Sequence, residues 1–83
     1  MPDYGTREEI RDRFERRAGL LKKAGWAWTE GASTRVYIKD GHDYIINLYL
    51  MSGYLSKETC DGDTVCRTYF STDEAVNELL EGS

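Results

Sequence analysis

The sequence is short of almost everything that catalysis, metal binding or membrane insertion requires. It has one histidine (His42), one proline (Pro2) and two cysteines (Cys60 and Cys66) in 83 residues. No apolar run approaches the ~20 residues needed to cross a bilayer, so no helical membrane span and no membrane partner is expected. The glycine-rich phosphate loops, nucleophile motifs and paired-ligand spacings that mark common reaction centres are missing. Two cysteines and a distant histidine fall short of the roughly four ligands of a zinc site. Asp61-Gly62-Asp63 lacks the further acids and the closing glutamate of a calcium loop. We therefore expect no enzyme, no cofactor and no metal. The first residues carry no basic-then-apolar signal segment, which leads us to expect a cytoplasmic protein with reduced thiols.

What the sequence does contain is a regular succession of structure signals over residues 1–83, read as one α+β domain. Thr6 and Glu9 form a capping box. Ile10, Phe14, Ala18, Leu21 and Ala24 follow at helical spacing, and Gly25 is the expected stop. Charged residues at Arg11–Glu15 and Asp12–Arg16 are i,i+4 neighbours on the wet face. Trp26–Thr29 reads as a short strand or extended connector. Four β-type runs come next, at 34–39, 44–51, 54–60 and 65–70, separated by turn signals at 40–43, 52–53 and 61–64. A second helix starts at Ser71 or Thr72: Ser71 with Glu74 gives a second capping box, and Ala75, Val76, Leu79 and Leu80 supply the apolar edge of a helix near 72–80. The expected fold is helix, antiparallel meander of 4–5 strands, helix, with both helices on one face of the sheet.

Alternation assigns the strand faces. Val36 and Ile38 share one face, with Arg35, Tyr37 and Lys39 on the other. Tyr44, Ile46, Leu48 and Leu50 share a face, opposite Ile45, Asn47, Tyr49 and Met51. Two apolar faces place that third run in the middle of the sheet. Leu55, Cys66 and Phe70 are expected on the helix-covered side. Tyr37, Tyr49 and Tyr69 are expected on the opposite face, as a packing or protein-contact surface. Cys60 and Cys66 oppose each other only if their hairpin loop has three residues. A two-residue loop sends the sulfurs to opposite faces. His42, in the turn 40–43, reads as an exposed turn residue.

Charge is the remaining signal. The net charge is −4. Residues 1–25 are mildly basic, because Arg7, Arg11, Arg13, Arg16, Arg17, Lys22 and Lys23 outnumber their acids. The rest of the chain is strongly acidic. Asp40, Asp43, Glu58, Asp61 and Asp63 fall on or near hairpin ends. Glu74, Glu78 and Glu81 recur as a stripe on the second helix, with neighbours about 5–6 Å apart. No Lys or Arg follows Phe70 to neutralise them. These carboxylates are the candidate partner-binding residues. An acidic body disfavours direct nucleic-acid binding, which depends on neutralising phosphates, and favours a basic protein or nucleoprotein partner. In its length, its lack of catalytic motifs and its unneutralised Asp/Glu set from Glu58 to Glu81, the chain resembles small mobile-element inhibitors of the anti-CRISPR type. Several of those are acidic α/β domains that block a basic nucleic-acid channel. The resemblance is one of class and assigns no residue roles. It implies a non-enzymatic inhibitor that presents an acidic surface. The alternative is a structural or assembly subunit binding through the tyrosine-bearing sheet face or a sheet edge.

Overall fold

The structure is a computed structural model that describes residues 4–82. Helix α1 spans Arg7–Lys23. Its start is the capping box read from the sequence: Glu9 N donates to Thr6 Oγ1 at 3.2 Å and Thr6 N to Glu9 Oε1 at 3.1 Å. Its end is set by Gly25 at φ +95°. Trp26 N donates to the Leu21 carbonyl and Gly25 N to that of Lys22, the paired bonds of a Schellman turn. Trp26 and Leu21 are both buried, which supplies the apolar contact that accompanies such a turn.

Five strands follow, β1 (Ala27–Glu30), β2 (Thr34–Ile38), β3 (Tyr44–Tyr49), β4 (Leu55–Asp61) and β5 (Thr64–Phe70), and then helix α2 (Asp73–Glu81). They form one sheet in the order β1-β2-β3-β4-β5, antiparallel at every junction. β3 is central, as its two apolar faces predict. Both helices cover one face. Leu21, Trp26, Tyr37, Ile46, Leu48, Leu55, Val76 and Leu79 form the core, with Phe14, Ala18, Ala24, Tyr44, Phe70 and Leu80 packed against it.

Several local expectations are corrected. β3 stops at Tyr49 rather than running to 51: Gly53 N donates to the Tyr49 carbonyl, which folds Leu50 and Met51 into an exposed turn. The N-cap of α2 is Thr72, whose side chain accepts from Ala75 N at 3.1 Å. Ser71 stays in the link because its carbonyl is taken by Arg17. Tyr37 lies on the helix-covered face, because its register partners are Trp28 and Ile46, and it is fully buried. Cys66 faces the helix side but lies exposed.

The two layers are joined by a set of arginines. Arg17, 1 % exposed, occupies the apolar stripe of α1 between Phe14 and Leu21. Its Nη1 donates to the Gly53 carbonyl and its Nη2 to the Ser71 carbonyl, both at 2.8 Å, and Nη2 also reaches Asp73 at 3.1 Å. Arg16 donates to both Asp73 oxygens at 2.9 Å, so the expected Asp12–Arg16 helix pair gives way to a bridge between helices. Arg13 donates to the Ser52 carbonyl at 2.6 Å and to that of Tyr4 at 3.0 Å. Gly53 allows this approach. At φ +74°, a Cβ there would sit 3.2 Å from Arg13 side-chain atoms and from Phe14 N.

Arg17→Ala strips two carbonyls of their donor and leaves Asp73 to Arg16 alone, and should cost about 3–5 kcal/mol in urea unfolding. Arg11→Ala removes only an exposed i,i+4 pair with Glu15 and should stay within about 0.5 kcal/mol. Gly53→Ala should destabilise more than Gly62→Ala: both have positive φ, but a Cβ at Gly62 meets nothing within 4 Å.

Candidate protein-binding surface

The meander places the candidate carboxylates in three groups. Alternate turns of a meander share an end, so the β2–β3 turn and the β4–β5 turn lie together. Asp40 and Asp43 belong to the first, Asp61 and Asp63 to the second, and all four are exposed. Tyr44 pairs with Thr59, so Asp43 and Asp61 lie one and two steps past that pair on neighbouring strands. Glu74, Glu78 and Glu81 are exposed along α2. That helix starts beside Arg16 and Arg17 and ends beside Leu20 and Lys23 of α1. Its acidic stripe therefore leads toward the aspartate-bearing end of the sheet. Among the described residues, none of these seven carboxylates takes part in a side-chain hydrogen bond or ion pair.

Glu58 stands apart. It lies mid-strand on the uncovered sheet face, not at a hairpin end, and its register partners are Ile45 and Arg67. Arg67 Nε donates to Glu58 Oε1 at 2.8 Å, and Asn47 Nδ2 donates to the same oxygen at 3.2 Å. The Arg67 bond first, and then that of Asn47, hold the Glu58 carboxyl below its usual range against the opposing effect of burial. Asn47 also donates to Ser56 Oγ, which lies 3.0 Å from the Tyr49 hydroxyl. Tyr49 and Tyr69 rings stand 6.1 Å apart. Thr34, Asn47, Tyr49, Glu58, Arg67 and Tyr69 thus line a shallow depression of about 320 Å³. Burial pushes the Tyr49 hydroxyl up.

The cations are disposed differently. Arg13, Arg16 and Arg17 tie α1 to loops and to α2, as described above. Arg35 stacks between Trp28 and Phe14, with its guanidinium carbon 4.0 and 5.0 Å from the ring centres. Lys57 lies over Tyr44 at 4.4 Å, and Arg67 holds Glu58. Six of the eleven basic side chains are engaged in contacts between elements, whereas the acids at the tips and along α2 face water. Sequence reasoning missed the roles of Arg17 and Arg35. The Glu58–Arg67 pair was within its reach, because a two-residue Gly62-Asp63 loop fixes 58 opposite 67.

The remaining candidates are bland in place. Cys60 pairs with Val65 and Cys66 with Thr59, so the sulfurs point to opposite faces and both thiols are free. His42 is half-buried rather than exposed, its ring 5.1 Å from Trp26 and 5.4 Å from Tyr44. Among the described residues no group of three His, Cys, Asp or Glu is placed to hold a metal, and no helix is long and apolar enough to cross a membrane.

Asp73 gives a pH test of this charge layout. Its carboxyl is held low, first by the Arg16 bond and then by that of Arg17, against burial. A carboxyl depressed on folding contributes stability above its unfolded pKa, about 3.9. That contribution is lost as pH falls through the folded value. The melting-temperature gap between the native protein and Asp73→Asn should therefore be full at neutral pH and close below about pH 4. Because Asp73 is half exposed, high salt should also narrow it.

No protein-family model, curated protein or solved structure matches the chain, so the chemistry of this surface is read from its own residues.

Proposed function

We propose that this is a non-enzymatic binding protein that presents carboxylates to a basic protein or nucleoprotein partner, as an inhibitor of the anti-CRISPR type does when it occupies a nucleic-acid channel. The observation that carries the reading is the asymmetry of charge use. Arg13, Arg16, Arg17, Arg35, Lys57 and Arg67 are engaged between elements. Asp40, Asp43, Asp61, Asp63, Glu74, Glu78 and Glu81 are exposed and unbridged among the described residues. A field of one sign on a surface whose opposite charges are tied up steers a basic partner and repels nucleic acid itself. Glu58 is the exception among the candidates, since Arg67 already neutralises it.

The test is calorimetry with an arginine-rich peptide at low and high salt. Rim contacts of ~0.5–1 kcal/mol each make Glu74→Gln/Glu78→Gln/Glu81→Gln a loss of roughly tenfold or more at low salt. Glu8→Gln/Asp12→Asn/Glu30→Gln removes the same net charge elsewhere and should cost much less, as should Glu58→Gln. Equal losses for the two triple variants would mean that only net charge matters and would end the reading. Affinity insensitive to salt would also contradict it.

A further inference from the structure

The sheet has two edges, and they are not alike. β1 is four residues long and its Trp28 is stacked on Arg35. β5 is seven residues long, and all but Phe70 are exposed. Edge strands in natural proteins are blunted by lysine, proline, bulges or inward charges. β5, Thr-Val-Cys-Arg-Thr-Tyr-Phe, has neither lysine nor proline, and its ladder with β4 runs unbroken from Leu55–Phe70 to Asp61–Thr64, so it has no bulge. Its one charge, Arg67, is bound by Glu58 of the same molecule.

The backbone groups on the free side can be named. Gly62 has φ +63° and Asp63 does not have positive φ, the glycine-first pattern of a two-residue II′ hairpin. Such a loop closes on a hydrogen-bonded pair, here Asp61–Thr64. Alternate residues Thr64, Cys66, Thr68 and Phe70 then bond back to β4, and Val65, Arg67 and Tyr69 turn their N–H and C=O groups outward. No turn or loop backbone bond among the described residues takes those groups.

We propose that β5 pairs antiparallel with β5 of a second copy of this chain, on a two-fold axis at Arg67, to join two sheets into one. An antiparallel pair of identical strands closes under two-fold symmetry and leaves no further edge of the same kind. This register pairs all seven residues and sets Tyr69 opposite Val65 of the second copy, twice. Those side chains are 63 % and 51 % exposed in one copy, and aromatic with β-branched is a favourable cross-strand pair. Arg67 meets Arg67, but each is already held by its own Glu58, so the row across the axis is neutral overall. Asp63 comes opposite Ser71 of the second copy, beside the positive end of its α2 dipole. Glu74, Glu78 and Glu81 lie opposite Val76 and Leu79 around α2, away from the sheet. The inference goes beyond the acidic-surface reading and does not depend on it.

Sedimentation equilibrium over a wide concentration range tests it. The native chain should form a concentration-dependent dimer, and Val65→Lys should be monomeric with unchanged circular dichroism. Val65→Pro should also be monomeric and folded, because the N–H it removes points away from β4. In the proposed register Cys66 faces position 68 of the second copy at a non-hydrogen-bonded pair. Thr68→Cys in a Cys60→Ser background should therefore give a reducible covalent dimer on oxidation, whereas Cys60→Ser alone should not. A native chain that stays monomeric at the highest concentration would overturn the proposal. So would a dimer that survives Val65→Lys, or a Thr68→Cys variant that dimerises without cross-linking.

Discussion

One buried guanidinium is the centre of the set of arginines that joins the two layers. Arg17 reaches the β3–β4 turn at Gly53, the β5–α2 link at Ser71 and the first residue of α2 at Asp73. These are segments 36 to 56 residues away along the chain. Arginine suits the position because its planar fork offers several donors in fixed directions and is less strongly hydrated than an ammonium. Burial pulls the Arg17 guanidinium below its usual range, and the Asp73 bond pushes back. Removing the side chain would leave two carbonyls facing an apolar corner. Replacing it with lysine would leave at least one, because a single ammonium cannot span sites that a fork reaches in parallel. Gly53 belongs to the same device, since only a residue without Cβ lets α1 come this close.

That construction has a consequence for the surface. A small sheet with two helices on one face must fix its loops somewhere, and this chain does so with cations from α1. Arg13 and Arg17 cap loop carbonyls, and Arg16 bridges to α2. On the strands, Arg35 and Lys57 lie on aromatic rings, where stem and charge both find partners. Among the described residues, the acids have no comparable internal work apart from Glu58, Asp73, Glu9 at the N-cap and the exposed Glu15. The exposed surface is therefore more acidic than a net charge of −4 suggests. Of the other cations, Arg7 and Arg11 lie exposed on the first turns of α1, Arg11 paired with Glu15, and Lys22, Lys23 and Lys39 sit near its C-terminal end, where Lys39 packs against Gly25. The lysines give the aspartate end of the sheet a mixed border, whereas the middle of α2 is unmixed.

The architecture was legible because its signals are local. A capping box, a helical apolar stripe, a stop glycine and turn residues at regular spacing each act over a few positions, and they yielded the helices, the meander and the central strand. The misreadings lie where a distant group decides. Thr72 rather than Ser71 caps α2 because Arg17 occupies the Ser71 carbonyl. Tyr37 reads as an open-face residue in the sequence because alternation fixes which residues share a face but not which face meets the helices. The register with Ile46 settles that, and it leaves Tyr49 and Tyr69 on the open side without their third member. Arg17 was hidden by its charge: a period-based reading places arginine on the wet face, and only the three acceptors waiting in the fold explain it inside. The carboxylates were legible as a set but not as a surface. Sequence order put Glu58 among hairpin acids, whereas the strand register gives it to Arg67.

The most direct test of this account is side-chain NMR of the arginines, which reports hydrogen bonding and solvent access at each guanidinium. If the cations are held between elements as described, the Arg17 Nε and Nη protons will be resolved and slow to exchange at neutral pH. Those of Arg13 will be intermediate, and those of the exposed Arg7 will exchange fast. If Arg17 exchanges as fast as Arg7, the buried fork does not join the layers, and the link between the fold and its acidic surface is lost.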